Sequence, residues 1–550
     1  MERLFNTNNV RGRLDIGGLW DFRTEDGSYI GKLAVPSCWE VIPALSAYKG
    51  TAEYSKKIVF GGWTRLVFKG VSHTAEVYLD GELIATHYNA YTPFSVDLHA
   101  DYREHEISVR VDNSYSERSA LHVENDYYTY GGIIRPVILE SLGDAVINYI
   151  HFDPYIERGA WCAKISVNIK SFAEDIRSYD LKLSLGENCF ISDRISLDGS
   201  TCRTFVYQSR FDSVEPYETD SPRLYILKAE ISSEGVPTDD LIERVGFRQI
   251  TIDGKSLLLN GKPIRLLGFN RHEDYNSLGS SVPLQAMMRD IALIKETGAN
   301  SIRTCHYPND ELFLDLCDEL GLLVWEEAHA RGLSEEKMRN ENFIPQSLNC
   351  IDEMIINHFN HPSIFCWGIL NECVSDNEFG KECYKTLYDR ISSHDSSRPK
   401  TSASNRSFSD KCYDLEDIVS VNTYPLWYDS HNESPKSRID AIKNYIRETG
   451  NSEKPFIVSE IGAGAIYGYR TDSACKWSEQ RQAQILDEQL YVTLSDTDIC
   501  GVFIWQFCDV RVDESWFSSR PRCENNKGIV DEYRRKKLSF DVVKRHFGGK

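Results

Sequence analysis

Trp367-Gly-Ile-Leu-Asn-Glu372 and Pro455-Phe-Ile-Val-Ser-Glu460 are two apolar runs that each stop at a glutamate. An apolar run of this length, bounded by polar residues, reads as a buried strand. A carboxylate at the C-terminal end of a buried barrel strand sits where such barrels build their active sites. One such glutamate alone reads as a solvated strand end. Two, on strands that should lie close together, read as a pair facing one pocket. A pair of carboxylates can cleave a glycosidic bond, one protonating the leaving oxygen while the other attacks the sugar or activates water.

Outward from these runs, short apolar segments alternate with helical ones from Asn260-Gly261-Lys262-Pro263 onward. Candidate strands fall at 265–270, 301–304, 322–327, 364–371, 400–404, 418–424, 455–460 and 501–508. Helical patterns lie between them at 283–297, 310–320, 346–360, 378–394, 437–449 and 476–495. Eight strands with intervening helices in this length predict a (β/α)₈ barrel. Glu372 then ends the fourth strand and Glu460 the seventh. Further polar groups gather at the same strand ends: Asn270 to Asp274, Arg303 to His306, Glu326 and Glu327, Asn422, Tyr424 and Tyr428, and Trp505 with Asp509.

Before the barrel the pattern is all-β. Thr64-Arg-Leu-Val-Phe-Lys69 and Ala75-Glu-Val-Tyr-Leu79 alternate, and Asp80-Gly81 marks a hairpin turn before Leu83-Ile-Ala-Thr-His87. Ala163 to Lys170 and Tyr179 to Leu185 alternate as strands of a half-exposed sandwich do. The pattern divides the chain into 1–142, 143–250 and 251–550. At 550 residues several domains are expected.

A net charge of −21 argues against nucleic acid and anionic membranes as partners. An anionic substrate would need a local cluster of cations. The start of the chain reads as free of a signal peptide, and no run is long enough to span a membrane. The 15 cysteines include no CxxC pair, and Cys366, Cys500 and Cys508 lie inside apolar runs. A cytoplasmic protein with reduced thiols is expected. The 14 histidines show no HxxxH or HxH spacing, so no metal site is expected.

Gly268-Phe-Asn-Arg-His-Glu-Asp274, Asn300-Ser-Ile-Arg-Thr-Cys-His-Tyr-Pro308, Trp367 to Glu372 and Ser459-Glu460-Ile-Gly462 resemble the signatures of glycoside hydrolase family 2. The family contains β-glucuronidases, β-galactosidases and β-mannosidases, and the resemblance covers the whole chain. It implies a jelly-roll sugar-binding-like β-sandwich domain, an immunoglobulin-like β-sandwich and a catalytic TIM barrel, matching the three segments. It implies Glu372 as general acid/base and Glu460 as nucleophile of a retaining enzyme, with the carboxyl groups about 5 Å apart. Asn371 should then hydrogen-bond the sugar 2-hydroxyl. Cationic or hydrogen-bonding neighbours are expected to hold the Glu460 carboxyl low, and its charge to raise Glu372. No cofactor is implied, and the family's habit points to a homo-oligomer.

The sugar is read from Arg522-Cys-Glu-Asn-Asn-Lys-Gly528. It resembles the Asn-x-Lys motif of the β-glucuronidases, here Asn525 and Lys527, which would bind the carboxylate of a uronic acid. Asn125 to Arg135 resembles the segment whose aspartate, here Asp126, reaches into the barrel to contact sugar hydroxyls. Tyr424, Tyr428 and Trp505 match positions lining the sugar, and His272 joins them at strand one. The loop His329 to Arg339 is short where glucuronidases often carry an insertion, so an open mouth is expected, and no domain is expected beyond the barrel. Arg331 in that loop either favours an axial O4, giving galacturonide activity, or pairs with Glu326 or Glu335 outside the site. The leading expectation is a β-hexuronidase acting on small-molecule or oligosaccharide β-glucuronides or β-galacturonides. The alternatives are a β-galactosidase or another neutral-sugar member of the family, and a catalytically silent carbohydrate-binding protein.

Overall fold

A computed structural model describes residues 2–428 and 432–548. In the first domain Gly12–Asp15, Val137–Ser141, Thr51–Phe68, Phe94–Asp112, Thr74–Leu79 and Glu82–Tyr88 form an antiparallel sheet in that order. Gly18–Thr24 and Ile30–Val35 join it beside the Thr51 end of the longest strands. A bulge between Phe60 and Gly62 bends those long strands. The sheet therefore closes on a core that includes Trp20, Trp39, Tyr54, Phe68 and Val109.

The second domain is a seven-stranded sandwich. One sheet holds Ala145–Glu157, Ala160–Ser171 and Cys202–Phe211. The other holds Asn188–Leu197, Arg177–Leu185, Tyr225–Ser233 and Val236–Val245. The alternation seen in the sequence becomes burial. Tyr179, Leu181 and Leu183 point into the core with Ile165, Val167 and Ile169, while their neighbours face outward.

The third domain is a closed parallel barrel of Leu266–Asn270, Ser301–Arg303, Leu323–Glu327, Ile364–Asn371, Lys400–Ser404, Val419–Asn422, Phe456–Ile461 and Ile499–Ile504. Apart from Lys400 every residue of these strands is buried. Helices cover the outer face of each strand and the side chains inside the closed barrel cover the inner one, so uniform apolarity replaces alternation. A three-stranded sheet, Ile250–Asp253, Ser256–Leu259 and Lys262–Ile264, plugs the N-terminal end. Its Leu257 and Leu259 pack with Trp325, Phe365 and Phe503.

The eighth strand stops at Ile504, short of the expected 508. The Gln506 N–H bonds the Lys527 carbonyl at 3.0 Å instead of a neighbouring strand, so the chain turns toward the 525–528 segment. The sixth strand likewise ends at Asn422, before Tyr424.

The first domain is fused to the barrel mouth. The rings of Tyr91 and Tyr307 stack at 3.7 Å, and buried Arg135 pairs with Glu273 at 2.7 Å. Leu121, Tyr127, Tyr130 and Ile134 belong to one continuous core with barrel residues such as Phe269 and Ile302. That seam fixes the loop carrying Asn125 and Asp126 against the C-terminal ends of the barrel strands. No helix is long and apolar enough to cross a membrane among the described residues.

Candidate active site

Arg303, fully buried at the end of the second strand, organises the pocket. Its guanidinium donates to Glu327 Oε2 at 2.6 Å, Asn270 Oδ1 and Asn371 Oδ1 at 2.8 Å each, and Glu460 Oε1 at 3.0 Å. Five fixed donors let one side chain align four strand ends. Glu460 lies within the seventh strand, and its Oε2 accepts from the Tyr424 hydroxyl. Gly462 just beyond it has φ +157, and a Cβ there would lie 2.3 Å from the Trp505 carbonyl oxygen. Only glycine lets strands seven and eight close at this point.

Glu372 follows the fourth strand in a left-handed conformation, φ 54. That backbone costs a non-glycine residue roughly 1–3 kcal/mol and marks a position held by its surroundings. Here the surroundings are the bridge between Asn371 and Arg331, with Asn371 N to the Ala330 carbonyl at 3.1 Å and Gly332 N to the Asn371 carbonyl at 2.8 Å. Asn422 Nδ2 donates to Glu372 Oε1 at 2.9 Å and to Asn371 Oδ1 at 3.1 Å. Asn371 Oδ1 is thus occupied twice, while its buried Nδ2 has no partner.

The expectation for the Glu460 carboxyl is corrected. Burial and the charge of Glu372 push it up to about 7, against the pull of Arg303 and Tyr424. The stabilising neighbours are present, but two carboxylates sharing a dry pocket cannot both ionise cheaply. The pair therefore carries one proton below about pH 7. Glu327 is also pushed up to about 7, by burial.

The first domain contributes Asp126, which accepts from Arg520 Nη2 at 2.9 Å and Asn525 Nδ2 at 3.2 Å and lies 3.2 Å from Arg331 Nη1. Against burial, Arg331, Arg520 and Lys527 hold its carboxyl well below the usual range. Arg331 spans the pocket from Asn125 Oδ1 to Glu372 Oε2, the latter at 3.5 Å. It does not pair with Glu326, which meets His358 at 2.7 Å, or with Glu335, which meets Arg339.

Lys527 is 2% exposed, with its ammonium 5.6 Å and 5.3 Å from the ring centres of Tyr424 and Tyr428. Burial lowers its pKa, opposed by the Tyr428 hydroxyl, which hydrogen-bonds both Lys527 and Arg520. The 525–528 segment is pinned across the strand ends. Gln506 Nε2 donates to the Asn525 carbonyl at 3.0 Å, Ala465 N to the Asn526 carbonyl at 2.8 Å, and Gly528 N to Asp509 Oδ1 at 2.9 Å. Asn525 Oδ1 is buried without a partner.

Trp505 stacks on His306 at 5.1 Å and meets the edge of His272 at 5.4 Å. His272 bonds Tyr307 through Nδ1 at 3.1 Å, and burial brings its pKa down to about 3, so it is neutral with a free Nε2. His272, Cys305 and His306 place three potential metal-ligand atoms close together, and so do Asp315, Asp318 and His361. The cations Arg303 and Arg331 stand beside the first group, while Arg3 and His361 already pair the carboxylates of the second.

All eleven residues singled out from the sequence thus lie in or around one pocket. Sequence reasoning placed Arg303, Asn422 and Glu327 at the strand ends of this face but assigned them no role in the site. It also missed Asn125 and Arg520, whose roles depend on contacts to residues 206 and 394 positions away.

The profile described as "Glycosyl hydrolases family 2, TIM barrel domain" matches residues 250–548, and that of the "sugar binding domain" of the same family matches residues 28–142. The chain belongs to glycosyl hydrolase family 2. A β-glucuronidase of Sus scrofa is 24% identical over 98% of this chain and 90% of its own length. A Formosa agariphila relative, 26% identical over 93% of this chain, is longer, and the match spans 66% of it. A crystal structure of a β-galacturonidase from Eisenbergiella tayi bound to galacturonate is 48% identical, covers 100% of this chain and 99% of its own, and superposes with a TM-score of 0.97.

Proposed function

We propose that this protein is a retaining β-hexuronidase that removes a terminal β-linked galacturonic or glucuronic acid. The observation that carries the reading is electrostatic. In a chain of net charge −21, Lys527, Arg520 and Arg331 converge on the pocket that holds both glutamates, with Asp126 the carboxylate between them. A uronate carboxylate supplies the anion for which Lys527 is desolvated, and a neutral sugar does not. The likeness to the Eisenbergiella tayi enzyme supports a galacturonide.

In this reading Glu460 attacks the anomeric carbon while Glu372 gives its proton to the leaving glycosidic oxygen. Glu372 then takes a proton from the water that releases the sugar. Arg303 and Tyr424 both donate to Glu460, which orients its carboxyl for attack. Asn371 Nδ2, buried without a partner, is the donor this reading assigns to the 2-hydroxyl. The reading keeps a reducing, cytoplasmic setting, in line with 15 unpaired cysteines.

The test is kcat/KM on three matched aryl β-glycosides: galacturonide, glucuronide and galactoside. Either uronide should exceed the galactoside by about 10²-fold or more, the worth of a buried charged contact. Preference for the galactoside overturns the sugar assignment while leaving the two glutamates in place. Arg331→Ala should lower the galacturonide-to-glucuronide ratio. An unchanged ratio removes Arg331 from the reading of O4.

The proton shared by the pair makes a further prediction. Wild-type activity should fall as pH rises through about 7, where the pair loses its proton. In Glu372→Gln, assayed with a leaving group that needs no protonation, that alkaline limb should disappear. A limb that persists near 7 would point to Glu327 instead.

A further inference from the structure

A second cavity, of about 220 Å³, lies where the first domain meets the loops after barrel strands one and eight. Its wall carries four carboxylates: Glu40, Asp274, Glu524 and Glu532. Glu532 is 3% exposed. Its Oε1 accepts from Arg522 at 2.5 Å, and its buried Oε2 has no partner. The Oε2 of Glu524 is buried and unpartnered as well. Asp274 Oδ2 accepts from the Tyr130 hydroxyl at 3.1 Å and from Arg511 N at 3.3 Å, and Glu40 accepts from Gly131 N at 3.1 Å. Among the described residues, Glu40, Asp274 and Glu524 form no salt bridge.

The nearby cations, including Arg511 in the cavity wall, make their side-chain hydrogen bonds to other groups and reach Glu40 and Asp274 only through longer-range attraction. Arg511 lies over the Tyr128 ring at 4.0 Å and donates to the Ser46 carbonyl. Arg534 is paired with Asp290 at 2.8 Å, and Lys49 donates to the Thr129 carbonyl. Ionised carboxylates held this way cost several kcal/mol each unless something positive joins them. Burial pushes Glu524 up to about 9 and Glu40 up to about 8.

We propose that this cavity binds a hydrated divalent cation of the magnesium class, held by Glu40, Asp274, Glu524 and Glu532 largely through the ion's own water. An all-carboxylate oxygen set suits hard cations, and magnesium sheds its water reluctantly. Six waters at about 30 Å³ each fill most of the space. The ion ties the first domain to the 511–532 stretch that carries Arg520, Asn525 and Lys527.

The test is thermal melting of the full-length protein, stripped with EDTA, against MgCl₂ and against KCl of equal ionic strength. MgCl₂ at about 1–10 mM should raise the melting temperature saturably by at least about 2 °C over the KCl control. Glu524→Gln combined with Glu532→Gln should lose the shift. If the double variant does not fold, Glu524→Gln alone should at least halve the shift. Equal melting in MgCl₂ and KCl, or a shift that survives the substitutions, overturns the proposal. So does a shift with a diamine and none with MgCl₂. None of these readouts depends on which sugar is cleaved.

Discussion

Glu460→Ala is expected to lower kcat on any aryl uronide by about 10⁴-fold or more, the scale seen when a nucleophile is deleted from an otherwise intact site. The loss should exceed that of any binding residue, because Glu460 is the group on which Arg303 and Tyr424 converge. Arg303 keeps Glu327, Asn270 and Asn371 as partners in the variant, so the pocket should hold its shape. The truncated side chain also leaves room for a small anion. Azide entering there attacks the face that Glu460 would have used and yields a glycosyl azide of inverted configuration. In Glu372→Ala, azide enters from the opposite side after the glycosyl-enzyme has formed and yields the retained product. The two product configurations, read by NMR, assign the two glutamates independently of rate. Residual activity of more than a few percent in Glu460→Ala, or the opposite pair of configurations, would contradict the assigned roles.

Lys527→Ala should act on specificity. Truncating one partner of a buried, hydrogen-bonded charge pair costs about 2–5 kcal/mol, so kcat/KM on the uronides should fall about 10²- to 10³-fold. The galactoside makes no such pair, and its slow turnover should change little or rise. Arg520 lies beside Lys527 on the Tyr428 hydroxyl, and its remaining charge sets the floor of the loss. Equal losses on the uronide and the neutral sugar would mean that Lys527 merely supports the 525–528 segment. That outcome would remove the carboxylate argument while leaving the glycosidase assignment untouched.

The barrel was legible because each of its strands is buried on both faces. Such strands appear as bare apolar runs, and a glutamate ending one stands out, as Glu372 and Glu460 do. The sandwiches were legible for the opposite reason, since one face of each strand meets solvent and the residues alternate. The Asn525 and Lys527 pair was found by resemblance to a family motif, because a tripeptide has no periodicity of its own.

Long-range contacts were not legible. The sequence offered two pairings for Arg331, with Glu326 or Glu335 against a place at the sugar. Tertiary structure gave it neither glutamate, because the bridge from residues 330–332 to Asn371 swings the side chain between Asp126 and Glu372. Arg520 had no local signal at all, since its partner Asp126 arrives from another domain. The raised Glu460 carboxyl was misjudged for a related reason. Its cationic neighbour could be anticipated from residue types, but the depth of burial and the nearness of Glu372's charge, which outweigh that neighbour, exist only once the barrel closes. The sequence by itself determined which side chains stand at the strand ends. Only the closed barrel, with the first domain packed on its mouth, decided which of them share a dry pocket, because electrostatic strength depends on separation and on excluded water more than on residue type.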